Sequence, residues 1–354
     1  MASINKRVYY AVHAVGFAAF DGAAYDLSGY TVASGVQSVS INTNFNLEQV
    51  FQLGQLELYE NIENLPSVEC TIEKVLDGAA LLQHLATQTA NGGTLAGRYN
   101  NERCMVAVAY YNDTQTSATG TALSEVVMSG MYISSINFNF PVDGNFTESI
   151  TLVGNDKVWA SGASIGSDIH SFEPQMDGAD GPVFGTVLRR QHMTQSGCIW
   201  PLDIPGLNQT GNAGENPLVQ GAYGSHMQSV NVSVDLGRTE LFELGQRGPY
   251  HRFADFPTEV TCAIEVLENE FGDLVDADST STSNTAERRI LINCGSGNMR
   301  IDLGTKNRLS SITSTGGDTG GGNRTTTYNY SNFNTLTVLQ ANDPAGFVTF
   351  SDLM

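Results

Sequence analysis

Positive charge is the scarcest ingredient of this chain. Its 354 residues carry 17 Lys and Arg against 37 Asp and Glu, a formal charge of −20 with a pI near 4.5. A chain so short of basic groups does not build the cationic surface that grips nucleic acid or anionic lipid. Charge of either sign is thin at 15% of residues, against roughly 25% in ordinary soluble domains. Gly, Ser, Thr and Asn carry the polarity instead, which suits a surface partly covered by neighbours. Cysteine is sparse as well: Cys70, Cys104, Cys198, Cys262 and Cys294 form no close pair. That excludes a disulfide framework and a thiolate zinc site. Cys70 and Cys262 fall on alternating apolar runs, where small buried thiols in a reducing compartment are expected. No apolar run approaches the ~18 residues of a membrane span. The opening MASINKRVYYAVHAVGF has no uninterrupted apolar core of the secretion-signal kind. The Asn-x-Ser/Thr triplets at Asn145, Asn208 and Asn231 therefore carry no glycosylation argument.

A catalytic constellation is missing too. Gly162 to Gly166, GASIG, matches the G-x-S-x-G nucleophile elbow, but that motif needs a strand entering and a helix leaving. Here Ser164 stands in a small, polar stretch of a β-rich chain. Gly92 to Tyr99, GGTLAGRY, echoes a phosphate loop but has Arg98 where Lys is required and Tyr99 where Ser or Thr would hold magnesium. The Asp177/Asp180 and Asp276/Asp278 pairs lack the spacing and terminal Glu of a calcium loop. The histidines are scattered, and His251 is expected on a surface or loop. The expectation is a protein that is not an enzyme and has no catalytic residue, cofactor or metal.

What the chain has is a phrase spoken twice. Phe51 to Gln55 reads FQLGQ, and Phe242 to Gln246 reads FELGQ, 191 positions later. At that spacing Gln37-Ser38-Val39 meets Gln228-Ser229-Val230, and Tyr59 meets Tyr250. One inserted residue then brings Val68, Cys70, Ile72 and Glu73 onto Val260, Cys262, Ile264 and Glu265. Further on, Glu102-Arg103 answers Glu287-Arg288, and Ile133-Ser134-Ser135-Ile136 answers Leu309-Ser310-Ser311-Ile312. Matches that keep their order along both halves mark one domain duplicated, not a short-period solenoid. The division is residues 1–160 for the first domain, 161–175 for a linker, and 176–354 for a second domain with long loops. Within it, 36–158 and 227–341 are expected to share one fold.

Val39, Ile41, Phe45 and Leu47 alternate with polar residues, as do Val230, Val232, Val234 and Leu236, which is the period of a half-buried strand. One helix stands out, with Asp77 as its cap and Ala79, Leu82, Leu85 and Ala86 as its apolar stripe. The matching stretch of the second half has lost that pattern. The expected fold is mainly β: two tandem copies of an antiparallel sandwich or barrel with one flanking helix.

The stretch NLEQVFQLGQLELYENIENLPSVECTIEKVLDG, with AALLQHLAT after it, resembles the tail tube proteins of tailed bacteriophages, most densely over residues 36–90 and more loosely over 228–268. That resemblance implies a structural virion protein of the tail, assembled in the host cytoplasm. Its subunits would form rings that stack into a hollow tube for genome passage, with sheath, baseplate and tape-measure proteins as partners. Single-domain members resemble six-fold rings. Two copies per chain imply either three chains per ring, or six with one copy in the wall and one outside. DNA would pass without being held, and the −20 balance suggests an acidic inner wall. The repeated phrase supplies the candidate subunit interface: Phe51, Leu53, Gly54 and Gln55, with Phe242, Leu244, Gly245 and Gln246. A turn inside each core is the competing role for it. Other readings are a tube-like baseplate or adaptor protein, and an exported adhesin or glycan-binding sandwich. The last would need an exposed aromatic platform, for which Trp200 and Tyr250 are the candidates.

Overall fold

A computed structural model describes residues 13–20, 31–54, 56–87, 103–111, 122–161, 187–193, 198–201, 204, 226–267, 286–294, 299–316 and 322–340. They form antiparallel β-structure with a single short α-helix. In chain order the first half supplies β1 (His13–Ala19), β2 (Thr31–Val32), β3 (Val36–Asn44), β4 (Leu47–Phe51), β5 (Leu58–Glu63) and β6 (Ser67–Val75). The helix α1 (Leu82–Thr87) follows, then β7 (Cys104–Tyr110), β8 (Ser124–Pro141), β9 (Thr147–Gly154) and β10 (Val158–Ser161). The second half supplies β11 (His226–Asp235), β12 (Arg238–Leu241), β13 (His251–Ala254), β14 (Glu259–Leu267) and β15 (Leu291–Cys294). It ends with β16 (Met299–Asp302), β17 (Arg308–Thr315), β18 (Thr325–Phe333) and β19 (Thr337–Gln340).

Eight of these strands make one continuous antiparallel sheet in the order β3-β6-β9-β8-β11-β14-β18-β17. Its two halves repeat each other strand for strand. Val39 pairs with Ile72, and Val230 with Ile264. Cys70 pairs with Leu152, and Cys262 with Tyr330. Even the irregularities recur. The register of β3 slips between Val36 and Ser38 and that of β11 between Met227 and Ser229, so Gln37 and Gln228 sit at equivalent bulges. Likewise β8 slips between Ile133 and Ser135 and β17 between Leu309 and Ser311, at Ser134 and Ser310. Bulges of this kind re-aim a strand and persist as designed features.

A second layer repeats in the same way. In the first half β10, the N-terminal part of β8, β7 and β1 pair in sequence. In the second, β19, β16 and β15 do so, with Ile199 bridging to Leu291 where β1 would lie. The long β8 runs through both layers, whereas its counterpart is broken into β16 and β17. Apolar residues of the inward faces, from Val15 and Phe17 to Val338, join in one core. The strands of the eight-stranded sheet place mostly Val, Ile, Leu, Cys or an aromatic on that face at alternate positions, as their period of two requires.

The helix departs from expectation at its start. Asp77 Oδ1 accepts a hydrogen bond from the Ala79 amide at 3.0 Å, which makes a turn before the helix rather than capping it. The free amides of Leu82 and Gln83 are instead taken by the Glu148 carboxylate of β9, at 2.8 and 3.0 Å. Glu148 is fully buried. Burial pushes its carboxyl above the usual range, while nearby Lys74 and the two amides oppose that. The 161–175 linker lies outside the described residues apart from Ser161, as does the part of the second half that matches α1.

Candidate functional site

Three surfaces stand out, and none is a catalytic pocket. The first is a pair of hairpin tips. β4 and β5 form one two-stranded ribbon, and β12 and β13 another, in identical register: Leu47 opposes Glu63 as Arg238 opposes Ala254, and Val50 opposes Glu60 as Leu241 opposes His251. The repeated phrase occupies both turns. Gly54 and Gly245 have φ of +93° and +92°, a left-handed conformation that glycine adopts at no steric cost. A Cβ at either position would meet nothing within 4 Å, so the requirement for glycine is conformational. Leu53 and Leu244 are wholly exposed, and Phe51 and Phe242 more than half exposed. The phrase is therefore not a turn buried in each core. Gln246 is exposed and its amide donates to the Glu243 carbonyl at 3.4 Å; Gln55 lies outside the described residues. These candidates sit on the ribbons and not on an edge of the eight-stranded sheet, so tips and edges are separate surfaces.

The second surface is that pair of edges. Among the described residues β3 pairs only with β6, and β17 only with β18. Neither strand contains proline, β3 has no charged residue, and β17 has only Arg308 at its start. Proteins that stay monomeric usually blunt such edges with proline or inward charge. Between them, β8 of the first repeat and β11 of the second are hydrogen-bonded from Ser135–Asp235 to Pro141–Ser229. Across that join Val230 and Val232 are fully buried, while their counterparts Val39 and Ile41 on the free edge are half-buried. Leu236 is buried with its amide bonded to the Ser134 carbonyl at 2.8 Å; its counterpart Phe45 is 64% exposed.

The ribbons differ in the same sense. β12–β13 is seated on the first repeat. Arg238 Nε donates to the Ile133 carbonyl at 2.6 Å, and an Arg252 guanidinium nitrogen to Asn155 Oδ1 at 2.8 Å. Glu240 pairs with Arg252. The His251 ring lies 4.2 Å from that of Phe253 and 5.5 Å from that of Tyr132. Burial lowers Arg238 to about 10. β4–β5 is exposed along nearly its whole length, with Leu47, Leu58, Tyr59 and Ile62 uncovered.

The third surface is the face of the eight-stranded sheet that points away from the core. Ser40 and Asn42 on β3, Thr71 on β6, Thr151 on β9, Asn137 on β8, Asn231 and Ser233 on β11, and Thr261 on β14 alternate with the buried positions. Thr71 and Thr151 hydroxyls meet at 3.3 Å, and those of Ser233 and Thr261 at 2.6 Å. Its charged residues are Glu69, Glu73, Asp235, Glu259 and Glu265, with Arg308 at the margin beyond the Ser310 bulge. Glu73 accepts from Ser38 and Glu265 from Ser229, in equivalent places. This face was out of reach of the sequence alone, which shows alternation but not which strands lie side by side.

Trp200 is 1% exposed and part of the core, which overturns it as a glycan platform; Tyr250 is exposed. His251 is half-buried on a strand, not on a loop, because Tyr132 and Phe253 cover its ring. All five cysteines are buried free thiols, and burial pushes Cys70 and Cys262 up to about 12. Among the described residues no three His, Cys, Asp or Glu side chains gather in a metal-binding group, and no helix is long and apolar enough to cross a membrane. GASIG, GGTLAGRY and both aspartate pairs lie outside the described residues.

No protein-family model matches the chain, and no curated protein does. Among solved structures, a chain of the anti-feeding prophage baseplate, solved by cryo-electron microscopy with six-fold symmetrisation, is similar with a TM-score of 0.32 and 10% identity, over 45% of this chain and 98% of that one. A chain of the anti-feeding prophage cap, described as terminating the tube, has a TM-score of 0.33 and 12% identity over 46% of this chain and 95% of that one.

Proposed function

We propose that the chain is a structural, non-enzymatic subunit of a phage-tail-type assembly, a wall component that closes into rings and stacks as a tube. One observation carries this reading. Two repeats of a four-stranded sheet are fused through β8 and β11 into one sheet, with the same two kinds of edge left unpaired at its ends among the described residues. A chain of that form can be extended by further copies of itself. The alternative of one repeat in the wall and one outside it does not suit a sheet that runs unbroken through both. Three chains, giving six wall units, is the arrangement the tube-protein resemblance then favours. The polar face with its acidic residues suits an inner wall past which DNA slides without binding.

A tube-like baseplate or adaptor protein would use the same edges but stop at one or a few rings. Negative-stain electron microscopy of the purified protein tests the proposal. Stacked hollow rings are expected; single rings would favour the baseplate or adaptor role. Monomers at high concentration would overturn the assembly reading.

A further inference from the structure

We propose that the β17 edge of one chain receives the β3 edge and the β4–β5 ribbon of a second copy, in the register that β8 and β11 already adopt within the chain. This rests on the ring-forming reading above and supplies its contact. The join between the two repeats is the template. The residues of β11 from Met227 to Asp235 have their counterparts 191 positions earlier in β3, and those of β8 from Tyr132 to Asn139 have theirs 176 positions later in β17. Transferring the internal pairs Asp235–Ser135 and Ser233–Asn137 places Asn44 opposite Ser311 and Asn42 opposite Thr313 of the neighbour. The Leu236–Ser134 hydrogen bond becomes one from the Phe45 amide to the Ser310 carbonyl.

Three features of the free surfaces fit that occupant. The core-side residues at both edges, Val39 and Ile41 on β3 and Leu309 and Ile312 on β17, are only partly buried yet already pack against the core cluster. Their counterparts at the internal join are buried, so the missing cover is a strand's width. The bulges at Gln37 and Ser310 do not forbid pairing, because Gln228 and Ser134 carry the same bulges inside the formed join. The charges also match. Where His251 meets Tyr132 inside the chain, the equivalent positions are Glu60 on the exposed ribbon and Arg308 on the β17 edge. The second ribbon needs Arg238 and Arg252 to settle on its own first repeat, while β4–β5 carries Glu48, Glu60 and Glu63 and no basic residue. At the landing place Phe333 is 56% exposed, where the internal join has Asn155.

Engineered cysteines test the register, since all five native thiols are buried. The full chain carrying Asn42→Cys and Thr313→Cys is oxidised mildly after assembly and run on a denaturing, non-reducing gel. A ladder of cross-linked chains is expected. The slipped pair Asn42→Cys with Ser311→Cys should cross-link about tenfold less, because residues two positions out of register lie ~7 Å or more apart, beyond disulfide reach. Separately, Glu60→Arg or Arg308→Glu alone should weaken ring formation, and the two together should restore it. Rings that form under the microscope but cross-link through the slipped pair, or through neither, overturn this contact while leaving the ring-forming function standing. A wild-type chain that makes no ring overturns both.

Discussion

Gly54 and Gly245 occupy the same turn of two separate ribbons, with φ within a degree of each other and open space where a side chain would go. The phrase that surrounds them is thus kept for a shape and for what it holds outward, not for packing. Replacing either glycine by alanine should cost about 1 kcal/mol, the ordinary penalty of a side chain in the left-handed region. Asparagine, which tolerates that region, should cost less. Chemical denaturation of the two single variants at each site checks the ranking. Equal stability of alanine and glycine forms would mean that the turn relaxes.

Leu53 and Leu244 project from those turns fully into solvent. Converting both to aspartate should change unfolding stability by no more than ~0.5 kcal/mol, as for exposed sites elsewhere. Ring stacking should nevertheless fail, since each ring would face its neighbour with added like charge in place of apolar contact. Circular dichroism beside electron microscopy separates the two effects. Wild-type stacks from the double variant would remove the tips from the assembly.

Glu125 is a buried acid away from the proposed contacts. It is 1% exposed, and among the described residues neither carboxyl oxygen has a hydrogen-bond partner. Its row across the sheet is Ala14, Ala109 and Ala160, which offer no side-chain donor. Burial raises it from 4.5 to about 7. A carboxyl raised on folding stabilises the protein fully below the unfolded value near 4.5, and that contribution is lost as pH rises through about 7. The wild type should therefore be less stable at pH 8 than at pH 5 by a few kcal/mol relative to Glu125→Gln, whose neutral amide does not titrate. Urea midpoints at the two pH values measure it. Parallel pH profiles would show that Glu125 finds a partner in solution.

Much of the fold could be read from particular residues. Val39-Ser-Ile41 and Val230-Asn-Val232 show their inward faces by alternation alone, and the ordered matches around FQLGQ and FELGQ contain both pairs of bulges. Three things were hidden for physical reasons. The helix cap, Glu148, is far from Leu82 in sequence and reaches it only through β9. Local capping rules, which pointed to Asp77, act only over a few residues. The exposure of the tips depends on where each ribbon leaves the sheet, which apolar content cannot reveal: Leu53 and Leu82 look alike on paper, yet one is wholly exposed and the other wholly buried. Finally, Trp200 suits a surface platform as well as a core on sequence alone, because aromatic side chains serve both and only packing decides between them.

The polar face of the eight-stranded sheet bears on how DNA would pass. If it lines a tube, its Ser, Thr and Asn residues and its carboxylates should keep DNA from sticking. Thr71 and Thr151 meet on that face across β6 and β9, the second and third strands from the β3 edge. Lysine at both should leave the fold in place, since long stems can lie along a sheet with the ammonium in water. One carboxylate ~10 Å from a phosphate in water contributes only about 0.4 kcal/mol, and salt at physiological strength, with a Debye length of ~8 Å, weakens it further. Single side chains therefore decide little, but two substitutions repeated in every chain of every ring change the wall as a whole. Lysines that neutralise phosphates release counterions, so retention should fall steeply as salt rises. Assembled wild-type particles should not retain a short duplex at low salt, whereas Thr71→Lys/Thr151→Lys particles should hold it and release it on raising the salt, as read by co-sedimentation. If both particles behave alike at every salt concentration, this face does not line the channel.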